Sequence, residues 1–279
     1  MTNFLVPKPD PKITLPHGTF LQKLLGQNYK WFFLIKYWIK ANTAYFWSEV
    51  FVGLNRTLTL LGTCVIFLYL GQNQQPILNY LLLGSIFFAI TDPVMAWFVS
   101  GDIKSGKITK WLMYPAKYTN ILFFIAIANC LYLSLTCLVG LIPVVLLFHQ
   151  NINLSGNFWI FIPFILTSFV IRFSLQILTG FSTFWFIEGA GLTHLMQNAE
   201  NFLSGSMFPL FILPFYFNWL QFLPFAFTFY HPMQIYLGKY DNFQTIWVFF
   251  GGILWCILLY FLARFVFKMG LKRNESVGL

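Results

Sequence analysis

The chain has 279 residues, of which 58% are hydrophobic and only 9% are charged, and its mean hydropathy is +0.70. Soluble domains carry roughly 45–50% apolar and about 25% charged residues, so this composition excludes an ordinary soluble domain and indicates an integral membrane protein. The net charge of +9 does not indicate nucleic-acid binding, because the lysines flank apolar segments, where they face lipid headgroups.

Two segments precede the first long apolar run. Residues 1–28 are polar and contain four prolines, which predicts a cytosolic N-terminal segment and not a signal peptide. Residues 29–45 are amphipathic, with two lysines opposite an apolar face, which predicts an interfacial helix in the headgroup plane. The alternative is that this helix simply begins the first span. The apolar positions are Trp31, Leu34, Ile35 and Trp38, and the opposite positions are Lys36 and Lys40.

Six apolar segments are predicted to cross the bilayer, which needs about 20 helical residues for each span. They lie near residues 47–70, 77–99, 119–148, 158–186, a fifth segment that begins within or just after 188–200 and runs to about 215, and 243–267. The predicted fold class is therefore an all-α membrane protein with six transmembrane helices. Residues 46–268 form its transmembrane domain, and residues 269–279 form a cytosolic tail.

The orientation follows from the distribution of lysine and arginine. Nearly all the basic residues that flank the predicted spans lie on one side, and Lys239 is the main exception. The positive-inside rule places that basic side, with both termini, in the cytosol. The even number of spans is consistent with this orientation in the cell (inner) membrane.

Residues 215–242 are rich in aromatic residues and are interrupted by prolines. Pro214, Pro224 and Pro232 break helices, and the pieces between them are too short to span a bilayer. Non-helical backbone at membrane depth survives only where protein or water covers it. The segment is therefore predicted to form short re-entrant helices that enter from the outer face before the last span.

Residues 100–117 form a polar segment between two spans, which we call the island. It contains four lysines and one acidic residue, Asp102. Asp102 is predicted to cap a helix that starts at Ile103, and Pro115 to end it. Ile108, Trp111 and Leu112 then form an apolar patch on a short cytosolic helix. The four lysines are Lys104, Lys107, Lys110 and Lys117.

Among the charged residues inside predicted spans, Asp92 and Arg172 are the candidates for a functional role. Asp92 precedes Pro93 in the second span, and Arg172 lies near the middle of the fourth. Charged residues at this depth face protein or water and not lipid. Asp92 fits either a translocation path or a contact that holds helices together, and the residues leave both alternatives open.

Catalytic motifs are absent from the sequence. There is no Walker A loop, GxSxG, HExxH or CxxC pattern, and the four histidines are scattered, so no catalytic or metal site is predicted. Three functional classes are considered for such a membrane protein beside the one that a resemblance indicates below: a secondary transporter, which would show an inverted repeat or several intramembrane acids, a membrane-embedded enzyme, and a scaffold. Glu188, His194 and Glu200 are the nearest approach to an enzyme-like cluster.

Residues 100–107 (SGDIKSGK), with Leu112 and Pro115, follow the second span. They are similar to an acidic-apolar-x-x-Gly segment at the same place in the permease subunits of ABC-2 type exporters that are encoded apart from their ATPase, and the chain resembles this family. The family often has several acids there, whereas this chain has only Asp102. A second motif is similar to the fifth span and the elements after it. It comprises residues 203–209 (LSGSMFP), Leu213-Pro214, Leu223-Pro224-Phe225 and His231-Pro232.

The resemblance implies a function without catalysis by this chain. Two permease chains, identical or homologous, would each dock on an ATP-binding cassette ATPase, which would bind ATP and Mg²⁺, while this chain itself would hold no cofactor. The island would be the coupling helix, and the substrate would be a drug, lipid, glycolipid or polysaccharide. The implied coupling residues are Gly101, Asp102, Ile103, Gly106, Lys107, Ile108, Trp111, Leu112 and Pro115. The candidates for the translocation path or gate are Asp92, Arg172, Ser204, Gly205, Phe208 and Pro209.

Overall fold

The computed structural model describes residues 29–44, 46–69, 74–113, 116–148, 158–186, 189–207 and 209–276. Within these ranges the chain forms helices and no strands, which confirms the predicted all-α class. The α-helices are α1 (Tyr29–Thr43), α2 (Phe46–Tyr69), α3 (Gln74–Thr91), α4 (Met95–Lys104), α5 (Ile108–Leu112), α6 (Tyr118–Phe148), α7 (Phe158–Phe181), α8 (Gly189–Leu203), α9 (Pro224–Thr228), α10 (Tyr230–Tyr236) and α11 (Asn242–Ser276). Three 3-10 segments lie at Ser182–Phe184, Leu210–Ile212 and Phe215–Phe222.

Four segments of the described chain are long and apolar enough to cross a membrane. They are Asn79–Lys104, Tyr118–Thr136, Ile160–Phe184 and Asn242–Arg273. The protein is therefore an integral membrane protein. Helix α2 has 24 residues and lies at the predicted first span, whereas α8, at the start of the predicted fifth span, has only 15. The count of six spans stays a prediction.

Helix α7 is the centre of the bundle. Its first half packs with α3, with α9 and α10, and with the 3-10 segment at Leu210–Ile212. Tyr80, Phe161 and Phe229 are buried there. Its second half packs with α4 and α6, where Leu122 and Phe181 are buried. Most residues of α7 are apolar, and its polar residues Arg172 and Gln176 contact neighbouring helices. Only 17% of the apolar window in α11 is buried, so most of α11 is available to lipid.

The apolar face of α1 packs on the neighbouring helices. The ring of Trp31 stacks on Phe124 of α6 with a centroid distance of 4.4 Å. Trp38 donates a hydrogen bond of 2.6 Å from Nε1 to Oδ1 of Asn129, also in α6. The lysine face of α1 is exposed. This amphipathic helix is thus anchored to the bundle, and its position in the headgroup plane stays a prediction.

The second span is interrupted near its middle. Residues 92–94 separate α3 from α4 and are not helical. Pro93 has no amide hydrogen to donate and disfavours helical backbone before it, which ends α3. Val94 has a φ of 49° and a ψ of 44°, a left-handed conformation that is unfavourable for a β-branched residue. The span is therefore a broken helix with local strain at the break.

The segment before the last span consists of short helical pieces, as the prolines predicted. Pro224 begins α9, and the preceding 3-10 segment exposes Phe215 and Tyr216. The buried His231 fixes this segment, since its Nε2 donates to the carbonyl of Gln221 at 2.8 Å and its Nδ1 accepts from the hydroxyl of Tyr240 at 2.9 Å. Whether these pieces are re-entrant stays a prediction.

Helix α4 ends at a left-handed glycine. Gly106 has a φ of 69°, and its amide donates to the carbonyl of Ile103 at 3.2 Å, as in a left-handed helix C-terminus. The turn at residues 105–107 then leads into α5. The expected helix from Ile103 to Pro115 is therefore wrong, because Gly106 divides it into the end of α4 and the short α5.

The left-handed turn predicts that alanine substitutions at two island glycines change the stability of the fold by different amounts. Gly106→Ala should destabilise the fold by about 1 kcal/mol, because an L-residue is strained at positive φ. Gly101→Ala is the matched control, because Gly101 is helical and an added methyl group would meet no atom within 4 Å. Thermal unfolding of the purified variants measures both changes. Equal stability of the two variants would contradict the turn.

Candidate functional site

The broken span is held by side chains from two other helices. The carbonyl of Pro93 accepts a hydrogen bond of 3.2 Å from Nδ2 of Asn129 in α6. The amide of Met95 donates to Oε1 of Gln176 in α7 at 2.7 Å. The same amide group of Gln176 donates from Nε2 to Oδ1 of Asp92 at 2.8 Å. Side chains of α6 and α7 thus replace helical hydrogen bonds that the break removes.

A buried ion pair lies beside the break. Arg172 is 0% exposed, and its Nε lies 2.8 Å from Oε1 of Glu200 in α8. Its Nη1 donates to Oγ1 of Thr91, the last residue of α3, at 3.1 Å. The guanidinium carbon lies 4.2 Å from the centroid of the Phe88 ring, a cation–π contact. Arg172 therefore joins α7 to α3 and α8 at the depth of the break.

A large groove opens next to this cluster. It has a volume of about 740 Å³ and lies between α2, α3 and α8, with Phe229 also on its wall. Most of its lining is apolar, and Asp92 contributes a carboxylate. The uncharged polar side chains on its wall include Thr59, Thr63, Ser85, Asn198 and Asn201. The groove therefore combines an apolar surface with several hydrogen-bonding groups.

A second, small polar cavity lies on the other side of α8. It has a volume of about 20 Å³ and is lined by Gln176, Gln197 and Glu200 among others. This volume and these polar partners fit one water molecule. Gln197 lines both cavities and accepts a hydrogen bond of 3.4 Å from Nε1 of Trp97 in α4. Helix α8 thus has polar contacts on the groove side and on the α4 side.

The predicted path and gate residues lie at different places. Asp92 lines the groove, whereas Arg172 lies buried behind it. Ser204 and Gly205 are buried in the turn after α8 and are not among the residues on the groove wall. In that turn Gly205 has a φ of 82°, and its carbonyl accepts a hydrogen bond of 2.9 Å from the hydroxyl of Tyr80. Pro209 is also buried, and Phe208 lies outside the described residues.

The acidic residue of the island has a structural position. Asp102 is 2% exposed, lies within α4, and accepts a hydrogen bond of 3.3 Å at Oδ2 from the hydroxyl of Tyr118. The prediction that it caps a helix is therefore wrong, because α4 continues through it from Met95. Ile103, in the last turn of α4, is buried as well. The side chain of Asp102 faces the bundle and not the protein surface.

The apolar patch of the island is only partly exposed. Ile108 is 0% exposed and belongs to the core, and Trp111 packs partly against it, so the expected three-residue surface patch is wrong for Ile108. Leu112 is 45% exposed and Met113 is 87% exposed. Gly101, Gly106 and Lys107 are exposed, and Pro115 lies outside the described residues. The exposed apolar tip of the island is therefore Leu112–Met113.

Sequence reasoning did not assign three residues of this site. Gln176 follows Arg172 by four positions and so lies on the same helical face, which is a usable signal. Asn129 is a single amide within an apolar run, and a polar residue in a span is expected to have a partner. For Glu200 the sequence indicates only a candidate enzyme-like cluster with Glu188 and His194, because its pairing with Arg172 depends on how α8 packs.

A helical membrane protein with a broken span, a buried ion pair and an adjacent groove has the features of a transport protein. Residues 54–278 match the family model described as ABC-2 family transporter protein. The chain therefore belongs to the ABC-2 transporter family and is a membrane-embedded permease, not the ATPase of such a system. No curated protein and no solved structure matches the chain.

The buried ion pair predicts a non-additive effect on stability. Glu200→Leu leaves the guanidinium of Arg172 buried without its carboxylate, which should destabilise the fold by about 3–5 kcal/mol. Adding Arg172→Met to that variant removes the buried charge and should recover part of the loss. Thermal unfolding in detergent measures these two variants and the single variant Arg172→Met, which completes the cycle. A double variant that is less stable than Glu200→Leu by the full cost of Arg172→Met would contradict the pairing.

Proposed function

We propose that this chain is the permease subunit of an ATP-driven exporter and that the groove beside Asp92 is part of its translocation path. The observation that carries the proposal is the juxtaposition of this groove with the break in the second span. Membership of the ABC-2 transporter family supports transport as the activity. The match to a family model described as ABC-2 family transporter protein favours this assignment over a secondary transporter or a membrane-embedded enzyme.

The groove suits an amphipathic substrate. Its volume of about 740 Å³ is in the usual range for pockets that hold drug-sized molecules, roughly 300–1,000 Å³. Its apolar lining would bind a hydrocarbon body, and the amide and hydroxyl groups would bind a polar head. Lipid-like and drug-like molecules have this chemistry, and so does the lipid portion of a glycolipid. An extended glycan lacks the apolar body that most of this surface would contact.

Helix α4 provides a mechanical connection between the island and the groove. It has ten residues, a length of about 15 Å at the helical rise. One end continues into the island, and the other begins at the break, where Gln176 binds both Met95 and Asp92. If a partner displaced the island, α4 would move as a rigid body, and this movement would change the backbone at the break. Because Asp92 lines the groove, such a movement would change the groove wall.

The proposed assembly has two permease chains and two ATPase subunits. A second permease chain, identical or homologous, would complete the path, and each island would contact an ATPase that binds ATP and Mg²⁺. Closure of the ATPase dimer would favour one of two packings of the bundle. The permease would be in the cell (inner) membrane, with both termini in the cytoplasm, as the distribution of lysines favours.

The assignment predicts that ATP hydrolysis requires a partner. The purified full-length chain should not hydrolyse ATP, because its sequence has no phosphate-binding loop. Co-expression with the appropriate cassette ATPase of the source genome should give a stable complex that hydrolyses ATP. Hydrolysis by the chain alone, or failure of every cassette ATPase to form a complex, would contradict the assignment.

If the groove is part of the translocation path, a bulky substitution in α8 should reduce transport only where it faces the groove. Asn198→Trp places a large ring on the groove wall, where it takes up space for the substrate and should lower substrate affinity about tenfold, or about 1.4 kcal/mol. Leu195→Trp is the matched control, because Leu195 is exposed on the same helix but is not on that wall. ATP-driven transport of a fluorescent phospholipid and of a lipophilic dye measures both variants in vesicles that contain the complex. Equal transport by the two variants would exclude the groove from the path.

The orientation predicts which side of the membrane each loop faces. A cysteine at Ser105, an exposed island residue, should react with an impermeant thiol reagent only after the cells are opened. A cysteine at Ser155, which lies outside the described residues, should react in intact cells. The unmodified chain, with its natural cysteines, provides the background. The reverse pattern would place the island outside the cell and contradict its proposed contact with an ATPase.

A further inference from the structure

We infer that the cytosolic end of this permease docks into an acidic groove with an apolar floor on its ATPase. The inference rests on the proposed function and adds the chemistry of the partner surface. It is carried by four observations on the described residues: the burial of the island's acid, the convergence of a second basic segment, the fixed backbone of the island, and its exposed apolar tip.

The exposed surface of the island is basic. Lys104, Lys107, Lys110 and Lys117 are all exposed. The acidic residue among them, Asp102, is 2% exposed and is bound by Tyr118, so it contributes no surface carboxylate. Over residues 95–113 and 116–120 the structure therefore presents lysines and no exposed acid. A negatively charged partner surface is the electrostatic complement.

A distant segment adds further positive charge to the same end of the bundle. The ring of Phe267 in α11 stacks on Tyr118 at a centroid distance of 5.7 Å and packs against Phe181 at 4.8 Å. This packing brings the end of α11 next to the start of α6, directly after the island. Lys268 and Lys272 of α11 are exposed there. The basic end face, as we call it, consists of the exposed Lys104, Lys107, Lys110, Lys117, Lys268 and Lys272.

The island has a fixed backbone. Ile108 is 0% exposed and anchors α5 in the core. Oγ of Ser105 donates to the carbonyl of Gly101, and Oγ1 of Thr109 donates to the carbonyl of Gly106, each at 2.7 Å. A fluid layer of anionic lipid headgroups attracts lysines without requiring such a fixed arrangement, whereas a protein interface depends on it. The observations therefore favour a protein partner over anionic lipid.

An apolar tip lies between the lysines. Leu112 is 45% exposed and Met113 is 87% exposed, and they lie between Lys110 and Lys117 in the chain. Apolar side chains at the centre of an interface with charges around them match the usual arrangement of an apolar core and a polar rim. The complementary groove would thus have acidic residues at its rim and an apolar floor.

The experiment compares two triple variants of the full-length chain. In the test variant Lys104, Lys107 and Lys110 are changed to glutamine, which removes three charges from the basic end face. In the control variant Lys36, Lys40 and Lys239 are changed to glutamine, which removes three exposed charges elsewhere. Each tagged chain is co-expressed with the cassette ATPases of the source genome, one at a time, and reconstituted in phosphatidylcholine nanodiscs. The retained ATPase is measured across a NaCl titration.

The acidic groove predicts that the unmodified chain retains one of these ATPases and that the test variant binds it about tenfold more weakly at low salt. High salt should weaken binding of the unmodified chain and reduce the difference between the two. The control variant should bind like the unmodified chain.

Three results would overturn the inference. Retention of the ATPase that is equal for all chains and independent of salt would exclude an acidic groove but leave the exporter assignment intact. A lysine effect that is absent in phosphatidylcholine and appears only with phosphatidylglycerol would identify lipid as the partner of the lysines. Retention of no cassette ATPase by the unmodified chain would contradict the proposed function itself, and with it this inference.

Discussion

The hydrogen bonding of a broken helix inside the membrane is the constraint on which this structure depends. A span can be interrupted in the bilayer only if other groups bind the backbone amides and carbonyls that the break releases. Here Gln176 binds the amide of Met95, and Asn129 binds the carbonyl of Pro93. Because Trp38 in turn binds Asn129, the break also determines how α1 packs on the bundle.

A buried charge beside the break connects the helices around it. Arg172 binds the last residue of α3 and pairs with Glu200 on α8, so it holds the two walls of the groove together. A buried ion pair contributes little net stability compared with apolar packing, but removal of one partner is costly. The backbone of Val94 is strained as well. A buried ion pair beside a strained break is more typical of a site that changes between two packings than of one that only stabilises the fold.

The sequence predicted the helical class, the membrane location, the short pieces before the last span and the intramembrane positions of Asp92 and Arg172. These follow from apolar runs, prolines and isolated charges, which are local signals. The pairing of Arg172 with Glu200 was not predictable, because it depends on the packing of α8 against α7. The positions of Asp102 and Ile108 were predicted wrongly because their burial also depends on packing between helices, with α6 supplying the hydrogen bond from Tyr118 to Asp102.

The most direct measurement is the distance between a spin label at Lys110, in the island, and one at Asn198, on the groove wall. It is made in the complex with the ATPase, without nucleotide and with a non-hydrolysable ATP analogue. If α4 transmits movement from the island to the break, nucleotide should shift this distance distribution, and Gln176→Leu should reduce the shift. An unchanged distribution in a complex that binds nucleotide and transports substrate would contradict the role of the broken span.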